Sequence, residues 1–102
     1  MIIYNITISV EKEIVQEWLD WMQKKHIPQV MSTGCFFKAQ INKVLALDDS
    51  EETYAIAYTC IDKKNFDNYQ KNYASLLQKE YLDLYANNTF VFRTVMKKVK
   101  EF

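Results

Sequence analysis

One glycine and one proline serve all 102 residues, and the pair, Pro28 and Gly34, stand close behind the only histidine, His26. Glycine and proline are the residues that punctuate a backbone. A chain so poor in them has one irregular corner, the run His26-Ile27-Pro28-Gln29-Val30-Met31-Ser32-Thr33-Gly34. The only side chain that titrates near neutral pH stands in that corner. No catalytic or binding motif appears elsewhere, so the sequence speaks about architecture far more than about activity.

Around the corner the pattern is regular. Ile2, Tyr4, Ile6, Ile8 and Val10 alternate with Ile3, Asn5, Thr7 and Ser9, a period of two that predicts a strand with one apolar and one half-polar face. From Glu11 the period changes. Ile14, Val15, Trp18, Leu19, Trp21 and Met22 fall on one helical arc and Gln16, Glu17, Asp20, Gln23 and Lys24 on the other. Glu11 and Glu13 at the start and Lys24, Lys25 and His26 at the end suit the helix dipole. Pro28 restricts Ile27, which predicts that this helix stops near His26 and that a short second turn is closed by Gly34 as a left-handed cap. Cys35 to Leu47 and Thr53 to Ile61 read as two antiparallel strands joined by an acidic turn over 48–52. Asp62 is placed to cap one long helix with Phe66, Tyr69, Tyr73, Leu76, Leu77, Tyr81 and Leu84 at apolar positions, ended by Asn87 and Asn88. Phe90 to Val99 is a last strand. The order β-α-β-β-α-β predicts an α+β, ferredoxin-like sandwich: a four-stranded antiparallel sheet with two helices on one face. The length predicts a single domain over residues 1–102.

Composition excludes several classes. An apolar share of 49%, with 15% aromatic, is incompatible with disorder. Thirteen basic residues balance thirteen acidic ones, so no net field draws in nucleic acid. The glycine and basic residues of an RNA-recognition signature are missing, as is the glycine-rich turn with arginine that an acylphosphatase would need after its first strand. Cys35 and Cys60 lack metal-ligand spacing, and one histidine cannot complete a zinc site with them. No metal and no cofactor are expected. Without a basic leader or a membrane-length apolar stretch, the expectation is a cytoplasmic chain, no membrane partner and two free thiols. In a hairpin turning near Ser50, Cys60 would lie opposite a residue near Gln40, out of reach of Cys35.

The uncovered sheet face holds the informative residues. Asn5, Thr7 and Ser9 belong to it with Ala55, Ala57 and Thr59, and Lys38 is grouped with Gln40 and Asn42. Such a surface is too apolar to be simply solvated and too polar for a second core, which predicts a homodimer packing these faces about a two-fold axis. Arg93 is the only arginine, inside an apolar run. If buried, it needs a carboxylate, a carbonyl or a ligand anion, with a structural ion pair, within the chain or across the dimer, the first expectation. Glu80 falls within the apolar arc of the second helix. His26 could act as a base or a ligand donor, against the plainer role of a cation at a helix C-terminus. Trp21 stands at the edge of its arc, where it could line a pocket mouth. Asn5, Trp21, His26, Lys38, Glu80 and Arg93 are thus the candidate pocket residues.

The runs Met1-Ile2-Ile3-Tyr4-Asn5-Ile6-Thr7, Glu17-Trp18-Leu19-Asp20-Trp21-Met22, His26-Ile27-Pro28-Gln29-Val30-Met31 and Thr33-Gly34, followed by Lys43-Val44-Leu45, Thr53-Tyr54 and Phe92-Arg93-Thr94, resemble a family of short bacterial proteins of unknown function. The resemblance implies a fold similar to the dimeric α/β barrels, in which open sheet faces join. It supplies no catalytic residues. Three functions stand: a homodimer binding a small, partly apolar ligand between sheet and helices, a cofactor-free oxygenase or isomerase of the barrel type, and a structural or partner-binding module.

Overall fold

The computed structural model describes residues 1–45 and 50–102. Strand β1 spans Ile2–Glu11, and its period-two pattern buries Ile2, Tyr4, Ile8 and Val10 on one face. After a 3₁₀ turn at Lys12–Ile14 come helices α1 (Val15–Trp21) and α2 (Ile27–Ser32) with a wide π turn, Met22–His26, between them. Strands β2 (Lys38–Val44) and β3 (Glu51–Cys60) follow, then α3 (Lys63–Asn72), α4 (Ala74–Tyr85) and β4 (Thr89–Lys97). The sheet is antiparallel in the order β2-β3-β1-β4, so β2 and β4 are its edges. Opposite the buried side chains of β1 stand Tyr54, Ile56, Tyr58 and Cys60 of β3, and the helices add Val15, Trp18, Met22, Val30, Phe66 and Tyr69 to one continuous core. The expected α+β sandwich is the fold observed.

Four expectations are corrected. Pro28 does not stop the first helix. Ile27 keeps helical angles (φ −61°, ψ −45°), and its N–H donates to Met22 O across the widened turn. A proline ring clashes with the carbonyl four residues back and offers no N–H, and a π turn just ahead of it opens the ladder where that conflict arises. Gly34, at φ +76°, does close the segment in the left-handed region, its N–H donating to Met31 O. A side chain there would meet no atom within 4 Å, so backbone strain alone is what glycine avoids.

The second helix is broken at Tyr73 (φ −129°, ψ −32°). The break advances the helical phase by about one residue, so the buried set continues from Tyr69 to Ala74, Leu77, Tyr81 and Tyr85. Tyr73, Leu76 and Leu84, expected in the core, are exposed. Asp62 caps α3 as its position predicts, accepting the Asn65 N–H at 2.9 Å.

Glu51 and Glu52, expected in the turn between β2 and β3, are already in β3. Thr59 therefore opposes Lys38, and Cys60 lies beyond the paired stretch instead of facing Gln40. Ala46, Leu47, Asp48 and Asp49 of the expected strand and turn lie outside the described residues. Cys35 and Phe36 fold inward ahead of β2, and Phe36 packs on Tyr69 (centroids 4.9 Å) and Tyr58 (5.3 Å). Both cysteines are free and buried. Fourth, β4 ends at Lys97, short of the expected Val99. No helix among the described residues is long and apolar enough to cross a membrane.

A tyrosine-lined cleft as candidate functional site

Between the sheet and the helices a cavity of about 30 Å³ opens to the surface. Room of that size takes one or two water-sized groups. Its floor is Tyr4, Ile6 and Ile8 of β1 with Tyr58 of β3. Its walls are Met22, His26 and Val30 on one side and Tyr69, Leu77 and Tyr81 on the other, and Gln78, Val91 and Arg93 complete the lining.

The π turn positions His26. By turning the helix more slowly it carries the imidazole inward, where only 8% of the residue remains exposed. Trp21 stacks behind it (centroids 5.1 Å, planes 22° apart), and Tyr81 lies at 5.7 Å. Burial pulls the imidazole pKa down to about 4, so His26 is neutral at pH 7. Its Nδ1 is buried without a hydrogen-bond partner, and so is the hydroxyl of Tyr58. Buried polar groups in folded proteins are nearly always paired. Two orphans on one cavity therefore mark a place built for polar contact.

The phenols are held neutral. Burial pushes the Tyr58 hydroxyl far above its usual range, and Tyr69 likewise, with the Arg93 charge pulling weakly the other way on Tyr69. Tyr81 is raised by burial although Thr89, Trp18 and Arg93 each oppose the shift. Its hydroxyl is fully engaged: Trp18 Nε1 donates to it at 3.0 Å, and it donates to Thr89 Oγ1 at 2.9 Å. Arg93 faces the helices, opposite Ile6 in the ladder. It lies on an edge strand the helices leave partly uncovered, so it is exposed and forms no ion pair among the described residues. Within the described residues of one chain Arg93 is thus an accessible cation at the cleft mouth and not a buried, paired guanidinium.

The candidates separate into two faces. His26 and Arg93 meet in the cleft, and Trp21 backs His26. His26 is no helix-terminal cation, because its helix runs on to Ser32. Asn5 and Lys38 stand on the opposite, open face, where Asn5 Nδ2 donates to Thr7 Oγ1 at 3.1 Å and Lys38 borders a shallow groove with Ile3 and Phe37. Glu80 is half-buried on α4 with Oε2 unpartnered, outside the cleft lining. Tyr58, Tyr69, Tyr81 and Gln78 were not singled out from sequence. Tyr58 carried one usable signal, its place on the apolar face of a strand. The open face also holds Phe90 and Phe92, 73% and 63% exposed, which pair with Ser9 and Thr7, aromatics the alternation of β4 alone left unassigned to a face. No three or more His, Cys, Asp or Glu side chains among the described residues are grouped to hold a metal ion.

A family model described as a domain of unknown function, DUF4286, matches residues 1–99. The chain belongs to this family. Curated proteins give no match to it. Solved structures similar to this DUF4286 chain include a dimeric ferredoxin-like protein from an uncultured marine organism, 13% identical with TM-score 0.71 over 100% of this chain and 98% of that one. An ethyl tert-butyl ether D (EthD) family protein from Bacillus halodurans is 8% identical, with TM-score 0.69 over 97% and 100%. SnoaB, a cofactor-independent oxygenase from Streptomyces nogalater, is 9% identical, with TM-score 0.69 over 98% and 95%. At these identities the likeness establishes that the DUF4286 chain has the ferredoxin-like fold of the dimeric α/β barrels.

Proposed function

We propose that this DUF4286 protein is a homodimer, joined through its open sheet faces, that binds a small, partly apolar molecule in the cleft between sheet and helices. The observation that carries the binding site is the pair of buried, unpartnered polar groups, His26 Nδ1 and the Tyr58 hydroxyl, on the wall of one accessible cavity. A ligand that offers each a hydrogen-bond partner engages both groups at once. For the dimer, support comes from the exposed Phe90, Phe92 and Met96 beside a trough of Ala55, Ala57 and Thr7. A patch of this kind is normally covered, and the marine relative is described as dimeric. The protein works as one domain in the cytoplasm, with no nucleic acid or membrane as partner.

Titration of isotope-labelled protein with phenol tests the cleft. Amide shifts in a two-dimensional NMR spectrum are expected to gather at His26, Tyr58, Leu77 and Tyr81, and shifts that scatter or fail to arise rule the cleft out as a binding site. For the dimer, light scattering across a dilution series is expected to give twice the chain mass at high micromolar concentration, and Phe92→Lys to give the monomer mass with unchanged circular dichroism. A wild-type protein that stays monomeric sinks the face-to-face assembly.

A second reading is an oxygenase without cofactor, as SnoaB is described. The residue this reading uses is His26, whose unpartnered Nδ1 on the cavity can accept a hydrogen bond from a bound phenol or enol. Oxygen uptake in the presence of a phenolic substrate distinguishes it from simple binding, and in His26→Phe the uptake should fall by more than the loss of phenol affinity accounts for.

A further inference from the structure

The cleft carries a single charge. None of its lining residues is acidic, His26 is neutral at pH 7, and Tyr58, Tyr69 and Tyr81 keep their protons, which leaves Arg93 as the one ion. That arginine is unusual on three counts. It is the only one in the chain, it lines a cavity that holds no other charge, and it sits where exposed edge meets buried aromatic wall. It makes no ion pair among the described residues, so the guanidinium is not already engaged by a carboxylate. A planar guanidinium left free beside low-dielectric walls matches a carboxylate in shape as well as charge. Deeper in, the polar groups are uncharged: an imidazole and a phenol, each able to donate or to accept one hydrogen bond. Between the two ends lie Ile6, Leu77 and Val91, which favour an apolar body.

We infer that the cleft selects a monoanion with a small apolar body, its carboxylate held at the mouth by Arg93 and an uncharged hydroxyl or carbonyl tip turned inward to Tyr58 and His26. The inference rests on the cleft being the binding site and names the class of molecule it takes. The inner cavity admits only such a tip, while the body lies along the mouth beside Gln78 and Arg93. A cation is disfavoured by Arg93, and a dianion would have to bring its second charge against groups that have none to match it.

Para-hydroxybenzoate and para-hydroxybenzamide have nearly the same shape and differ in the charge at one end. Followed by the same NMR titration at pH 7, the benzoate is expected to bind roughly tenfold tighter or more, the usual strength of a charge-assisted hydrogen bond. Its affinity is expected to fall as salt is added, and that of the amide to stay level. In Arg93→Gln the two affinities should come within about twofold of each other, with Arg93→Lys between; the residue is exposed, and circular dichroism confirms that the variants fold. If both compounds shift the cleft amides equally in the wild type, the anion preference is wrong and the cleft survives as a binding site. If neither compound, nor phenol, shifts them, both ideas fall together.

Discussion

Trp18→Ala is expected to lose about 3–5 kcal/mol of folding free energy, a fall in melting temperature of roughly 15–30 °C for a domain of this size. Trp18 is fully buried, and its ring packs on Tyr54 at 5.3 Å. It also begins a chain of hydrogen bonds: its Nε1 donates to the Tyr81 hydroxyl at 3.0 Å, which donates to Thr89 Oγ1 at 2.9 Å, which donates to the Tyr85 carbonyl at 2.8 Å. The chain fastens α1 to α4 and to the start of β4. Alanine removes the indole volume and leaves one lone pair of Tyr81 unmet. Trp18→Phe keeps most of the volume and removes the donor, so it should cost less than half as much. Urea unfolding followed by circular dichroism measures both, and a loss under about 1 kcal/mol in Trp18→Ala would falsify this account of the core.

Acid is the second large effect. His26 titrates at about 4 in the folded chain and at its ordinary 6.5 when unfolded. Between those values only the unfolded chain binds the proton, so stability falls as the pH drops from about 6.5 through 4 and the loss levels off below. The total is roughly 3 kcal/mol. The groups around the ring are Trp21, Tyr81 and, across the cleft, Tyr69 and Arg93, none of which supplies a negative charge to stabilise an imidazolium. Glu52, held down by its hydrogen bond from Lys43, and Asp62, held down by the Asn65 N–H, also withdraw support as they protonate in acid. Comparison with His26→Phe separates these contributions. The variant should show a flat stability between pH 6.5 and 5 where the wild type declines, and parallel curves over that interval would mean that the imidazole is hydrated in the fold.

Much of the architecture was legible because it follows local periodicity. The alternation from Ile2 to Val10 located β1 and its buried face, and Asp62 announced the start of α3 through its side-chain cap. What escaped the sequence were breaks of phase. The π turn before Pro28 and the kink at Tyr73 each shift a helical arc, and a straight helical projection cannot register either. The site suffered most from this. His26 read as a terminal cation because the helix was expected to stop there, and Tyr73 took the inward place that belongs to Ala74. Arg93 was misjudged for a different reason. An apolar run predicts burial only where something packs over it, and β4 is an edge whose helix-side surface is partly open. Tyr58 and Tyr81 looked like core, and they are core; only the unfilled space between sheet and helices turns them into a lining.

The widened turn at Met22–His26 closes the Ile27 N–H onto a carbonyl five residues back, where a regular helix closes onto the fourth. Its effect is angular. Everything beyond it is rotated relative to everything before it, so the face that packs Trp18 against the sheet and the face that presents His26 to the cleft can be set separately. A relative with the regular ladder would keep the same fold and the same core while facing this imidazole elsewhere. Within one architecture, the difference between a filled interior and a site can therefore be a single residue of length, with no change in the chemistry of its neighbours.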